Sequence, residues 1–529
     1  MNAAALQEQF DGAAPFNATE PHIKPMVTLK AGDLHNIASQ AERALKMSEA
    51  PFYIRGGVIV RPAVDALPGS SGNPVKVARL VAVQESGLID HLSRVATWQK
   101  FDGRSQKMIP ADPTAAVAST ILSRDGEWTF PHLAGVITTP TMRPDGTILS
   151  APGYDKATHL LLVDPPVLPL IPAKPTRADG LAALALLNGL LDEFTFADDV
   201  SRSVALSALI TPVVRGAMPV VPMHAIDAKA PGTGKSFLVD VVSTISAGER
   251  APVLSIGRTE EETEKRLGAA IIEGQPLISL DNVNGELGGD FLCQMIERPI
   301  VAPRVLGKSL NKKVESRACC FATGNNIQIV GDMTRRALLC SLDANMERPE
   351  LRTFNGNPVA AVLKNRPKYI AAALTVARAY SVAGSPGTLP PLASFEGWSR
   401  VVRSALVWLG QPDPVKSMDK AREGDPVTTA LTILFTSWIN IMGNEAKPVG
   451  EVIATAELPE PFGNVGRAMF RQALADVATD KSGKIGGAAL GKYLGRYKGR
   501  IVAGLKLNGF ADTHTKQLWW SVERVEPAK

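Results

Sequence analysis

The chain has 529 residues, of which 45% are apolar and 21% charged, with a formal net charge of +5. That length and balance predict several globular domains with sizeable cores, and the mild positive charge is compatible with nucleic acid without requiring it. The four cysteines form no CxxC pair and no zinc-like spacing with histidine, which predicts buried thiols in a reducing cytosol and not a disulfide framework or zinc site.

The N-terminus carries Gln7, Glu8 and Asp11 and no apolar h-region, so no secretory signal is expected. Residues 1–162 are rich in short β-like runs and turns and predict a β-rich N-terminal domain. "FYIRGGVIVRP" (52–62) reads as a hairpin about Gly56-Gly57, and "GVITTPTMRPDGTIL" (135–149) as two strands joined by Arg143-Pro-Asp-Gly146. His22, His35, His91, His132 and His159 have no ligand-like partners in the sequence and are expected to be structural. "VDPPVLPLIPAKPTR" (163–177) holds five prolines and predicts a stiff linker. Helical patterns follow at 178–194 and 201–214. The apolar patch Leu181 to Leu191 is interrupted by Asn188 and Gly189, far short of the roughly 20 residues a membrane span needs. Residues 219–343 alternate apolar runs with helical segments, the pattern of a parallel sheet. The parallel-sheet core is placed at 178–345, a helical lid at 346–424 and a basic unit at 425–529.

"KAPGTGKS" (229–236) lies between a plausible strand, "PMHAID" (222–227), and a plausible helix, "SFLVDVVSTIS" (236–246). This is the setting a phosphate-binding loop requires. Gly232 and Gly234 let the loop Pro231–Ser236, which includes Thr233, bring the backbone N–H groups that follow the proline close to phosphate oxygens. Lys235 is positioned to reach the β- and γ-phosphates, and Ser236 to ligate Mg²⁺ where the helix opens. The consensus has glycine where this chain has Lys229. "QPLISLDN" (275–282) follows about 45 residues on, a buried strand delivering Asp281 to the Mg²⁺ shell. Where a glutamate commonly polarises the attacking water, this chain has Asn282, which can orient water but not take its proton. Glu273 and Glu286 are alternative carboxylates. "RACCFATGNN" (317–326) predicts a third strand that brings Asn325 or Asn326 to the γ-phosphate or the water. In "GDMTRRALLCSLD" (331–343), Arg335 and Arg336 precede a further strand and suit a cation acting on a neighbour's γ-phosphate.

"APGTGKS", "SLDN", "FATGNN" and "GDMTRR", in that order and spacing, resemble the AAA+ ATPases of bacterial mobile elements. These are replicative helicases of phages, plasmids and integrative islands, with a core like superfamily 3 or MCM helicases. The resemblance covers about 180–410, and "GVITTPTMRPDG", "LDNVNGELGGD" and "ERPELRTF" extend it. It implies an α/β AAA+ core with a five-stranded sheet, a usually hexameric ring, and ATP with Mg²⁺ between subunits. It assigns Lys235 and Ser236 to phosphate and Mg²⁺, Asp281 to Walker B, Asn326 to sensor 1, and Arg335 or Arg336 to the finger. A primase or another replication protein is an expected partner.

Between the Asp281 region and the sensor strand, "RVLGKSLNKKVESR" (304–317) reads strand, turn, strand, with Lys308, Lys312 and Lys313 at its tip. In superfamily 3 helicases a hairpin here grips single-stranded DNA in the channel, and phosphate attraction needs cations but no base readout. Residues 481–529 carry ten Lys/Arg against three Asp/Glu. "GAALGKYLGRYKGRIV" (487–502) sets Leu490, Leu494 and Ile501 beside Lys492, Arg496, Lys498 and Arg500, and a strand "QLWWSVERV" (517–525) follows. That outline is winged-helix-like and predicts duplex DNA contact through Arg496, Lys498 and Arg500. Trp519 and Trp520 alternate faces, so at least one is expected in the core. Together these features predict a DNA-dependent ATPase motor, with an ATP-switched initiator or helicase loader as the alternative. A nucleotide-binding scaffold without turnover fits the intact Lys235, Ser236 and Asp281 least well.

Overall fold

A computed structural model describes residues 24–48, 50–68, 74–257, 259–303, 312–387, 389–459, 466–479, 483–511 and 517–525. They form two compact units, one of residues up to 65 with 76–136, the other of residues 66–75 with 137–529.

The first unit is mixed α/β, not β-rich as its turns and short runs suggest. Helices Leu34–Met47, Glu85–Val95 and Ala115–Ser123 alternate with strands. Met26–Leu29 pairs parallel with Thr97–Asp102, which pairs antiparallel with Lys107–Pro110. The reading as β passed over helical spacing that the structure makes plain: Ile37, Ala38, Ala41, Ala44 and Leu45 form one buried face. They pack with Leu88, Leu92, Trp98 and Ile121 in a core of their own. Each fully buried leucine there contributes about 1.5–3 kcal/mol relative to exposure. The expected hairpin is present: Arg55 and Val58 are register partners. Gly56 (φ 55°) and Gly57 (φ 68°) supply the two left-handed residues such a two-residue turn needs.

In the second unit, Thr141–Met142 and Ile148–Leu149 form the second expected hairpin. Residues 163–175 have no regular structure, in keeping with their prolines. Helix Arg177–Asn188 then starts from a capping box in which Thr176 and Asp179 satisfy each other's backbone N–H groups. The central sheet has five parallel strands: β1 (Met223–Ala228), β2 (Val253–Ser255), β3 (Leu277–Leu287), β4 (Cys319–Ile329) and β5 (Ala337–Leu342), in spatial order β2-β3-β4-β1-β5. Helices α1 (Lys235–Ser246), α2 (Glu260–Glu273) and α3 (Asp290–Glu297) connect them. Near-continuous apolar runs such as Leu277–Leu280 and Cys319–Ala322 are buried, as a sheet covered on both faces requires. Cys319, Cys320 and Cys340 lie in that core as unpaired thiols. Burial pushes Cys319 up to about 11 and Cys320 to about 12.

Helices Pro358–Lys364, Arg366–Val382 and Ser417–Glu423 complete the same core. Arg366 binds them to α1, donating to the Ile245 carbonyl at 3.0 Å and the Ser246 carbonyl at 3.2 Å, where a cation meets the negative end of a helix. A separate core gathers Leu431, Phe435, Trp438, Phe470, Leu474, Leu490, Leu494 and Trp520 from helices Pro426–Met442, Gly466–Ala478 and Gly487–Arg496 and a four-stranded sheet. In that sheet Leu505–Ala511 pairs antiparallel with Leu518–Arg524. Trp520 is buried and Trp519 half-buried, the alternation expected of a strand. Among the described residues, no helix is long and apolar enough to cross a membrane.

Candidate nucleotide site

β1 ends at Ala228, the chain turns through 229–234, and α1 begins at Lys235. Gly232 (φ 76°) and Gly234 (φ 94°) are both left-handed, a conformation costly for other residues. Gly234 caps α1 without a side-chain acceptor, whereas α2 is capped by Thr259 and helix Asp199–Ile210 by Asp198. The first-turn N–H groups of α1 are thereby arranged for an external anion. Lys229 stands in place of the consensus glycine because its side chain leaves the loop: it is largely exposed and 4.0 Å from Asp343 Oδ2. Such a surface pair contributes at most about 1 kcal/mol.

The parallel register brings Asp281, Thr323 and Asn325 to this loop. Ser236 Oγ donates to Asp281 Oδ1 at 2.9 Å, and Thr323 Oγ1 donates to the same oxygen. Leu280 pairs with Ala322 and Val283 with Gly324, so Asp281 and Asn282 together face Thr323 alone. This is a β-bulge, a device that re-aims side chains. Asn282 is exposed and left-handed (φ 56°) within it. A hydroxyl and a carboxylate in contact form an oxygen-only donor pair, which fits Mg²⁺ held largely by phosphate and water.

Lys235 Nζ donates to Asn325 Oδ1 at 2.7 Å, to the Ala230 carbonyl at 3.3 Å and to Thr233 Oγ1 at 3.4 Å. Burial holds its ammonium below the usual lysine range, against the pull of Asp227 and Asp281. Asn326 is exposed and left-handed (φ 54°) at a second bulge. Asp227, two residues before the loop, was not apparent from sequence. Its Oδ1 accepts the Ile327 N–H at 2.7 Å and anchors the Asn325–Ile327 turn to β1, while burial raises its carboxyl above the usual range. The available signal was a charged residue on an otherwise apolar strand. Of the alternative carboxylates, Glu273 is the last residue of α2, before β3 begins, and Glu286 lines a groove with Glu260 and Glu264.

Arg336 is seated internally. Its side chain is 5% exposed; Nε donates to Glu297 Oε2 at 2.9 Å and Nη1 to the Asp332 carbonyl at 2.7 Å. A hydrogen bond from Ser394 and the Arg336 guanidinium hold Glu297 at about 2. Arg335 is 40% exposed, 3.5 Å from Glu297 and 3.4 Å from Asp332.

The hairpin between α3 and β4 pairs Ile300–Val301 with Val314–Glu315. The second strand, Val314–Glu315, lies within "RVLGKSLNKKVESR" (304–317), whereas the first, Ile300–Val301, precedes it. Lys313 is exposed and Lys312 half-buried at its base, and Lys308 lies outside the described residues. Arg496, Lys498 and Arg500 are all exposed, and Arg496 and Arg500 stand 5.8 and 5.7 Å from the Tyr497 ring centre.

No family model matches the chain, and no curated protein matches it. Among solved structures it is similar to the apo A form of the NrS-1 C-terminal region, at 11% identity and TM-score 0.37, over 79% of this chain and 92% of that one. A second apo A-form structure of that region, residues 305–718, matches at 11% identity and TM-score 0.38, over 91% and 98%. A JCV helicase bound to a thiazolopyridine-containing acetamide matches at 14% identity and TM-score 0.20, over 48% and 74%.

Proposed function

We propose that this chain is a nucleoside-triphosphate-hydrolysing DNA motor of the AAA+ helicase type. The observation that carries the reading is the convergence of Lys235, Ser236, Asp281 and Asn325 beside a glycine-containing loop that opens α1 without a side-chain cap. The loop amides bind the α- and β-phosphates, and Lys235 leaves Asn325 for the β/γ bridge. Ser236 and Asp281 would hold Mg²⁺, which would neutralise charge on the transferring phosphoryl group. Asn326 and Asn282 orient the attacking water. Arg335, more exposed than Arg336, is the better finger toward a neighbouring protomer in a ring, which we take as hexameric. The Lys308–Lys313 hairpin grips single-stranded DNA, the C-terminal unit acts as a winged helix on duplex DNA, and a primase-like replication protein is a fitting partner.

Asn282 favours a second reading, an initiator or loader that holds nucleotide long enough to assemble on DNA, because an amide accepts no proton from water. Strand displacement with purified protein, Mg²⁺ and ATP separates the two. Unwinding that disappears in Lys235→Ala supports the motor; nucleotide-dependent assembly on DNA without unwinding supports the loader; no nucleotide binding at all overturns both.

A further inference from the structure

Beside the phosphate loop lies a cavity of about 250 Å³, lined by Phe194, Phe237 and Phe354 together with Glu193, Thr233 and Asn357. It adjoins Thr233 and Gly234 directly, on the loop that opens α1. Phe194 and Phe237 lie nearly parallel, 6.2 Å apart at 29°. A Cβ on Gly234 would stand 3.4 Å from the Phe194 ring, so the glycine lets this aromatic wall approach the loop. Phe354 is half-exposed. Arg352 covers its ring at 5.1 Å while donating to the Glu193 carbonyl at 2.8 Å and Thr195 Oγ1 at 3.2 Å, which fixes the 352–357 segment against 193–195.

Glu193 and Asn357 each give one side-chain oxygen to the protein, which leaves the second carboxylate oxygen and the Asn357 amide N–H groups to face a base, and every base carries both a donor and an acceptor for them. Glu193 Oε2 accepts the Asn355 N–H at 3.0 Å, and Asn357 Oδ1 accepts the Ala360 N–H at 3.0 Å. Thr233 Oγ1 donates to the Ala230 carbonyl and accepts from Lys235. A carboxylate oxygen can accept from a nucleobase, but every base offers an N–H on its pairing edge, so that contact distinguishes none of them. A second cavity, of about 280 Å³ between Lys229 and Met346, contains no aromatic ring.

We propose that the Phe194–Phe237–Phe354 cavity is a nucleobase site that reads stacking and not hydrogen-bonding pattern, so the enzyme accepts purine and pyrimidine triphosphates alike. This rests on the reading of 229–236 as a phosphate loop. The physical ground is that every base has a π-face, and stacking tolerates sequence. Strong rejection of a competing base requires a polar group left unpaired by the wrong one, and a carboxylate oxygen and an amide N–H group find a partner on any of the bases.

Calorimetric titration of the full chain with Mg²⁺ and, separately, ATP, GTP, CTP, UTP and inorganic tripolyphosphate tests it. The four nucleotides are expected to bind within about tenfold of one another. Phe237→Ala and the more exposed Phe354→Ala are each expected to weaken all four by about tenfold, the scale of one aromatic stack, and to leave tripolyphosphate binding unchanged. Binding of ATP about 100-fold tighter than the other three overturns the inference, as does an equal loss of tripolyphosphate in Phe354→Ala. If none of the five ligands binds, the phosphate-loop reading falls and takes this inference with it.

Discussion

Asn325 Oδ1 accepts a 2.7 Å hydrogen bond from Lys235 Nζ, joining β4 to the first residue of α1 across the adjacent strand β1. On the proposed reading, bound nucleotide would draw the lysine away from this partner and leave the carboxamide to face the γ-phosphate. Asn325→Ala should keep nucleotide binding within a few-fold and lower kcat by about 10²-fold, the scale for losing one positioned polar group. Lys235→Ala should lose binding as well. Single-turnover hydrolysis beside equilibrium titration distinguishes them, and an Asn325→Ala enzyme with normal kcat contradicts this role.

Gly324 faces Val283 across the first bulge, where a Cβ would lie 2.0 Å from the Val283 carbonyl oxygen. Gly324→Ala should push β3 from β4 at the point where Asp281 is aimed. The expected cost is about 2–4 kcal/mol with loss of Mg²⁺-dependent turnover. Thermal unfolding measures it; a melting temperature equal to the parent's argues against the close approach.

The two adjacent arginines should separate stability from activity. Arg336→Ala strips a buried partner from Glu297 and should destabilise the fold by about 3–5 kcal/mol. Arg335→Ala, at the exposed position, should cost under about 1 kcal/mol. If Arg335 acts across a subunit interface, that same variant should depress turnover, and mixing it with Lys235→Ala protein should restore part of it. The absence of complementation would leave Arg335 as a structural residue.

Replacing Lys312 and Lys313 with alanine should weaken single-stranded DNA binding and lower the salt slope by about 1.4, two charges at ~0.7 each. Nucleotide binding should not change. Fluorescence titrations at several salt concentrations provide the slope, and an unaltered slope would retire the hairpin as a DNA contact.

His224 is buried on β1, 2.9 Å from Ser207 Oγ and stacked on Phe321; burial lowers it to about 3. The unfolded chain binds a proton near pH 6.5 that the folded chain refuses until about pH 3. The corresponding stability is complete above pH 6.5 and declines by about 1.4 kcal/mol per unit as pH falls through that window. His224→Asn should flatten the pH dependence of the melting temperature between pH 6.5 and 5. A variant as acid-sensitive as the parent contradicts the assignment.

Much of the site was legible because short-range chemistry writes it. Glycines at 232 and 234, a lysine and serine opening a helix, and apolar runs leading to Asp281 and Asn325 are local signals, each contained in one short segment. The two hairpins were legible for the same reason, through Gly56-Gly57 and the turn ending at Gly146. The first unit was misread because its turns and β-like runs outweighed a helix face spread over Ile37 to Leu45.

The sequence by itself determined the glycine-rich turn between a strand and a helix, and the alternation of strands and helices over 219–343, since both depend on neighbours in the chain. Only the tertiary structure decided that Asp281 and Asn282 share a bulge and that Asp227 anchors the sensor turn. It also decided that Arg336 is enclosed by Glu297 while Arg335 stays exposed, and that three phenylalanines distant in sequence wall one cavity. These follow from the register of parallel strands and from burial, which are set by packing between segments as many as 160 residues apart (Phe194 to Phe354) and leave no periodic mark on either segment.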